Sequence, residues 1–211
     1  MCSRYWIEET KDFEKIADRV KHSPLLMKLY QTHALPLKTS GEIRPGDLVP
    51  AIAPDKKGKE SVFPMKWGFS EKSLLFNARV ETAAEKPTFK EAWERHRCII
   101  PASYYFEWEH PIDDKGRKKT GDKYVIQPKD SELTWMCGLY RLENNLPVFT
   151  VLTREAPGPI RFIHDRMPVI MPEEIAGEWI KPDGKPDELV KEALTDMFFE
   201  KVNGKRASDL R

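Results

Sequence analysis

Apolar positions change their period twice along this chain. Between Asp12 and Val20, the residues Phe13, Ile16, Ala17 and Val20 recur at the spacing of one helix face, which predicts an amphipathic helix. Pro24 interrupts it, and Leu25 to Tyr30 reads as a short helical turn beyond the break. From Leu48 onward the helical period gives way to short apolar runs: LVPAIA (48–53), SVFPMKWGF (61–69), RCIIPASYYFEW (97–108), KYVIQP (123–128), LTWMCGLYRL (133–142) and PVFTVLT (147–153). Turn clusters at Asp113 to Gly121 and Glu143 to Pro147 punctuate them, so each run predicts a strand. Helices return at Thr88 to Arg95, with Thr88 as the expected cap and Glu91 completing the capping box, and at Pro172 to Ile180, with proline in the first turn. Strands dominate the middle without βαβ alternation or internal repeat. That pattern predicts an α+β fold on antiparallel or mixed sheet, as one domain over residues 1–211.

Charge narrows the picture. Lys and Arg number 35 against 34 Asp and Glu, a net charge of +1, so there is no global attraction to a polyanion and any nucleic-acid contact must be local. Lys115, Arg117, Lys118 and Lys119 crowd between two predicted strands, where a solvated hairpin loop is the simplest reading and phosphate contact the alternative. The three cysteines, Cys2, Cys98 and Cys137, are far apart and form no CxxC pair, which argues against a disulfide framework and against a zinc site. No cofactor motif and no metal-ligand set stand out. The start of the chain lacks an apolar run of signal-peptide length and no later stretch is long enough to span a bilayer, so a cytoplasmic monomer is expected.

The unusual placement is Cys2. Removal of Met1, usual when so small a residue follows, leaves an α-amine two carbons from a thiol. Those groups titrate near about 8 and about 8.5, so each has a reactive fraction at neutral pH. A 1,2-aminothiol condenses with an aldehyde to an imine, and its sulfur then closes a five-membered thiazolidine. On position alone, Cys2 is equally a small residue in a frayed terminus. Partners for such chemistry exist. His164, between two apolar runs, can act as acid and base in turn, or be a core histidine. Glu107 lies among aromatics in Tyr104-Tyr105-Phe106-Glu107-Trp108, where desolvation would raise its pKa, unless it faces solvent with Trp108 buried beside it. Asn77 ends an apolar run and offers a neutral amide donor, or a turn. Arg4, Trp67, Arg79, Arg97 and Arg166 recur beside these positions as candidate DNA contacts, arginine forking phosphate and tryptophan stacking on an unpaired base. Trp67 is equally a core residue before a turn, and Cys98 and Cys137 look like small buried residues.

Five segments, in order, resemble the SRAP (SOS response-associated peptidase-like) family: Met1 to Arg4 with Trp67-Gly68, Asn77 to Thr82, Arg97 to Ala102 running into Phe106-Glu107-Trp108, and His164 to Pro168. The resemblance covers roughly residues 1–180. It implies a strongly curved, barrel-like sheet with peripheral helices, Cys2 as nucleophile, and Asn77, Glu107 and His164 as its catalytic partners. It further implies a thiazolidine link to the ring-opened sugar of an abasic site in single-stranded DNA, a DNA-damage function, self-removal of Met1, and a place near the nucleoid if the source is bacterial. A thiol peptidase acting on other proteins and a non-catalytic single-strand-binding module are the alternatives. Three departures from the family pattern bear on substrate detail: Ser3 where glycine is usual, Glu42, whose carboxylate repels phosphate unless Arg44 offsets it, and Tyr104, which predicts a bulkier pocket wall.

Overall fold

The computed structural model describes residues 2–21, 23–117, 119–129 and 131–202. Met1, Lys118 and the tail beyond residue 202, all part of the sequence reading, lie outside the described residues. The chain runs β1 (Arg4–Ile7), α1 (Lys11–Lys21), α2 (Pro24–His33), β2 (Gly41–Ile43), β3 (Leu48–Pro54), β4 (Glu60–Trp67), β5 (Phe69–Ser70), β6 (Leu74–Leu75), β7 (Asn77–Arg79), α3 (Val80–Ala83) and α4 (Pro87–Arg95). It continues through β8 (Arg97–Ala102), β9 (Tyr104–Trp108), β10 (Lys123–Pro128), β11 (Thr134–Glu143), β12 (Leu146–Glu155), α5 (Gly158–Arg161), β13 (Arg166–Pro168), β14 (Ile170–Met171), α6 (Glu173–Trp179), α7 (Pro186–Leu189) and β15 (Met197–Lys201).

Strands β12, β4, β3, β8 and β11 pair in that order, and β11 pairs back onto β12, which closes a five-stranded barrel. All but one of the barrel's pairings are antiparallel, the exception being β12 with β4; β7 also lies parallel to β12 on its flank. A second sheet, in the order β15-β10-β9-β1-β2, is antiparallel throughout. The expected α+β class and curved, mainly antiparallel sheet are therefore both present.

Alternation along the barrel strands explains why their sequences read as continuous apolar runs. Val49, Ala51, Ala53, Cys98, Ile100, Phe149 and Val151 point into one cluster, shared with Tyr5, Ile43, Tyr105 and Ile126 from the inner face of the second sheet. Leu48, Ile52, Ile99, Cys137, Val148 and Leu152 point the other way, under Val20, Leu29, Phe89, Trp93 and Trp179 from the helices. Sheet covered on both faces carries no polar alternation. Cys98 and Cys137 are buried, as their surroundings in the sequence suggested.

The run from 97 to 108 is two strands in different sheets. At Ser103 the backbone leaves the barrel: Ser103 N donates to Trp6 O at 2.8 Å, and its Oγ accepts from Glu8 N at 2.9 Å. Helix α2 is also longer than the sequence predicted. Pro24 opens it at a first-turn position, where the missing N–H costs nothing, and Ser23 Oγ caps it by accepting from Leu26 N at 3.1 Å. Thr88 does not cap α4, because Pro87 already starts that helix and Lys86 takes the cap position without a side-chain bond. Pro172 likewise sits at the cap of α6, one residue ahead of the first turn. Between β9 and β10, Asp113 Oδ1 accepts from the backbone N–H groups of Lys115 and Arg117, so these two basic residues lie in a turn of the connecting loop. Asn144 and Asn145 both take positive φ, 50° and 64°, in the tight turn joining β11 to β12.

Arg97 was expected to meet DNA, and the structure corrects that. The side chain is 1% exposed and donates to Trp93 O and Glu94 O at the end of α4, and to Trp179 O and Lys181 O at the end of α6. Carbonyls at helix C-termini lack partners within their own helix, and one guanidinium serves both ends. Replacing Arg97 by Met strands several of these acceptors, so the expected loss is about 3 kcal/mol or more in urea unfolding, with an unchanged slope. A loss under about 1 kcal/mol would show that water replaces the guanidinium freely.

Candidate active site

Cys2 lies just ahead of β1, and pairing on both sides holds that strand. Tyr5 opposes Ile43 of β2 and Tyr105 of β9, so the start of the chain runs antiparallel to β9 towards Glu107. The Cys2 side chain is fully buried, with Sγ 3.8 Å from Arg4 O. Burial pushes its thiol pKa up, and the nearby Glu107 carboxylate adds to the rise.

Asn77 reaches Cys2 from the other sheet. As the first residue of β7 it opposes Val151 of β12, and Trp67 Nε1 fixes the preceding residue by donating to Phe76 O at 2.8 Å. From there Asn77 Nδ2 donates to the Cys2 carbonyl at 2.7 Å. Because a carbonyl needs a donor, this bond also decides which way the amide points. Asn77 Oδ1 is buried with no hydrogen-bond partner among the described residues.

Glu107 is 3% exposed, so the solvent-facing alternative fails. It shares the inward face of β9 with Tyr105, whereas Tyr104 and Phe106 form an outer cluster with Trp6 and Trp108. Tyr104 therefore does not thicken the pocket wall; it stacks on Trp6, ring centroids 6.3 Å apart. Burial raises the Glu107 pKa above the ordinary carboxylate value. His164 is half-buried and approaches the same carboxylate, with ligand atoms of Glu107, His110 and His164 all within 4.8 Å of one another. Its Nδ1 accepts from Arg166 N at 3.0 Å and lies 2.8 Å from Asp165 Oδ1. One lone pair cannot bond a donor and also face a carboxylate. The exposed Asp165 can turn to water, so the backbone N–H decides the tautomer in the absence of other charge.

The candidate DNA contacts divide. Trp67 is fully buried, tilted against Tyr5, edge-on to Phe76 and stacked on Phe149, which leaves no ring face for a base. Arg166 forks Glu81 with two bonds, Nη1 to Oε1 at 2.7 Å and Nη2 to Oε2 at 2.8 Å, and its Nη2 also donates to Thr153 O. Arg79 is exposed and Arg4 is half-buried. Glu42 is offset by three cations: Arg44 at 2.8 Å, Lys123 at 3.4 Å and Arg4 at 3.5 Å. Ser3 is not among the described residues with positive φ, so glycine is not required there.

Sequence reasoning missed Tyr5, Tyr105 and His110. Both tyrosines are buried beside Cys2, and burial followed by that neighbour pushes their hydroxyl pKa values up. His110 follows Glu107 by three positions, a spacing visible in the sequence but without an evident partner until His164 is brought alongside.

The family model described as SOS response associated peptidase (SRAP) matches residues 1–207. The chain belongs to the SRAP family. Among curated relatives, abasic site processing protein YobE of Bacillus subtilis is 35% identical over 141 residues, 64% of this chain and 62% of that protein. Abasic site processing protein YoqW of the same organism is 32% identical over 151 residues, 68% of this chain and 65% of that protein. The chain thus spans less than two thirds of the length of these SRAP relatives. A phage-related protein of Bordetella bronchiseptica has the same fold, with a TM-score of 0.70 at 22% identity over 96% of this chain and 94% of that one.

A carboxyl with a raised pKa in the folded state makes stability fall as pH rises from the ordinary carboxylate range to that raised value, because the unfolded chain releases its proton first. Glu107→Gln removes this decline. Thermal unfolding from about pH 4 to pH 8 should show the variant at least as stable as wild type at the upper end. A variant less stable than wild type at every pH would mean that the Glu107 charge supports the fold.

Proposed function

We propose that this SRAP protein captures abasic sites in single-stranded DNA as a covalent adduct of Cys2. The observation that carries the reading is the bond from Asn77 to the buried Cys2 carbonyl at 2.7 Å, made beside the buried Glu107, whose carboxylate His164 approaches. A residue that serves only as a frayed end has no reason to be clamped by an amide from another sheet. The names of YobE and YoqW, abasic site processing proteins, point to the same substrate.

The chemistry starts when loss of Met1, which the protein itself catalyses in this reading, turns the Cys2 amide nitrogen into a free amine. His164 protonates the ring oxygen of the baseless sugar, and the ring opens to an aldehyde. The amine adds to C1′, and Glu107, whose burial makes it hold a proton more tightly than an ordinary carboxyl, protonates the departing hydroxyl as water. Sγ then adds to the imine carbon, and the thiol proton ends on nitrogen. One water is lost overall, and a thiazolidine remains. The order suits a buried, protonated thiol, since the amine attacks first and the sulfur needs no free thiolate. It suits a peptidase acting on other proteins less, because that reaction requires Sγ as the first nucleophile. Asn77 Nδ2 holds the Cys2 backbone, and its Oδ1 is left to accept from a sugar hydroxyl. Arg79 and Arg4 meet phosphates, and Arg166 joins them only by giving up Glu81.

The test mixes purified protein with a single-stranded oligonucleotide carrying one abasic site and runs a denaturing gel. Wild type gives a retarded band that survives heating in SDS, Cys2→Ala gives none, and Asn77→Ala and Glu107→Gln slow its appearance by roughly 10²-fold or more. The same band from Cys2→Ala, or no band from wild type, overturns the reading.

A further inference from the structure

We infer that Glu107, His110 and His164 form a binding site for a zinc-class divalent cation, with His110 as the ligand that the abasic-site chemistry does not use. Two imidazoles and a carboxylate are a recognised zinc donor set, and their ligand atoms already lie within 4.8 Å of one another. Around tetrahedral zinc, bonds of about 2.0–2.1 Å put ligand atoms roughly 3.3 Å apart, so the cluster has to contract by about 1.5 Å at most.

The three residues differ in how readily they supply that movement. Glu107 is buried on β9, and His164 is half-buried. His110 is exposed, two residues past the end of β9, and its ring meets the His164 ring edge-on with centroids 5.2 Å apart. His110, exposed and outside the strand, is the ligand with the most room to move. His164 also has the outer partners of a metal ligand. Asp165 Oδ1 lies 2.8 Å from its Nδ1; a cation taken on Nε2 displaces the proton that the Arg166 N–H bond to Nδ1 places there, and Nδ1 then carries a proton and donates to Asp165 in place of accepting from Arg166 N. The single carboxylate offers too few oxygens for magnesium, which keeps an octahedral oxygen shell. Three protein ligands leave a fourth position open to water.

The consequence for activity rests on the proposed function. A cation on Glu107 and His164 occupies the lone pairs that move protons in thiazolidine formation, so zinc holds the protein inactive until it is withdrawn. Binding itself does not depend on that reading.

The test titrates zinc chloride into the full-length protein by calorimetry, beside His110→Ala and with magnesium chloride as comparator. The expected result is one zinc per wild-type chain, affinity weakened about tenfold or more in His110→Ala, and no magnesium heat. His110 is exposed, so the variant should unfold at the wild-type temperature. Equal zinc affinity in wild type and variant, or no zinc heat in either, overturns the site. In the denaturing-gel assay, zinc should silence wild type and a chelator should restore it. His110→Ala should crosslink like metal-free wild type and persist at zinc levels that silence wild type. Undiminished crosslinking by zinc-saturated wild type overturns the inhibition. If zinc binds through His110 while metal-free wild type gives no crosslink, the abasic-site reading falls and the cation site stands.

Discussion

Asn77 Nδ2 donates to the Cys2 carbonyl, and through that bond the start of the chain is fixed against the opposite sheet. One hydrogen bond contributes only about 1 kcal/mol net, too little to order a terminus unaided. It persists because both of its ends are independently held. Strand β1 is paired on one side with β2 and on the other with β9, and β7 lies in register along β12. The clamp therefore reports the geometry of two sheets, and the positions of Glu107 and the two tyrosines relative to Cys2 follow from the same pairings.

Burial between the barrel and the second sheet gives the site its electrostatic character. Burying Cys2, Tyr5 and Tyr105 in one apolar cluster, with Glu107 buried beside them, raises the pKa of all four. A neutral thiol and a carboxyl with a raised pKa suit a sequence in which an amine attacks first and protons are handed over afterwards. A site built for a thiolate nucleophile would need a positive environment around Sγ. Here the largest influence on the thiol is desolvation.

The barrel strands were legible in the sequence because burial on both faces writes unbroken apolar runs, as in 48–53 and 147–153. Strand β1 was not, since Arg4–Ile7 is short and its pairing residues lie far along the chain. Composition also could not tell which way a side chain points. Trp67 and Arg97 have the residue types of DNA contacts, yet one fills the barrel interior and the other ties two helix ends together. Glu107 was recognisable from its aromatic neighbours, but only the alternation along β9 shows that Tyr105 shares its face while Tyr104 and Trp108 do not. Pro24 read as an interruption because a proline that starts a helix and one that breaks it look alike until the cap at Ser23 is seen.

The central claim is that Cys2 supplies both amine and sulfur to a single sugar carbon. Intact-mass measurement of the adduct with an abasic oligonucleotide, made without any reducing agent, tests it most directly. The account predicts the summed masses of Met1-free protein and oligonucleotide less one water, stable to acid and heat. An adduct that retains Met1, or one that appears only after borohydride reduction, would contradict it.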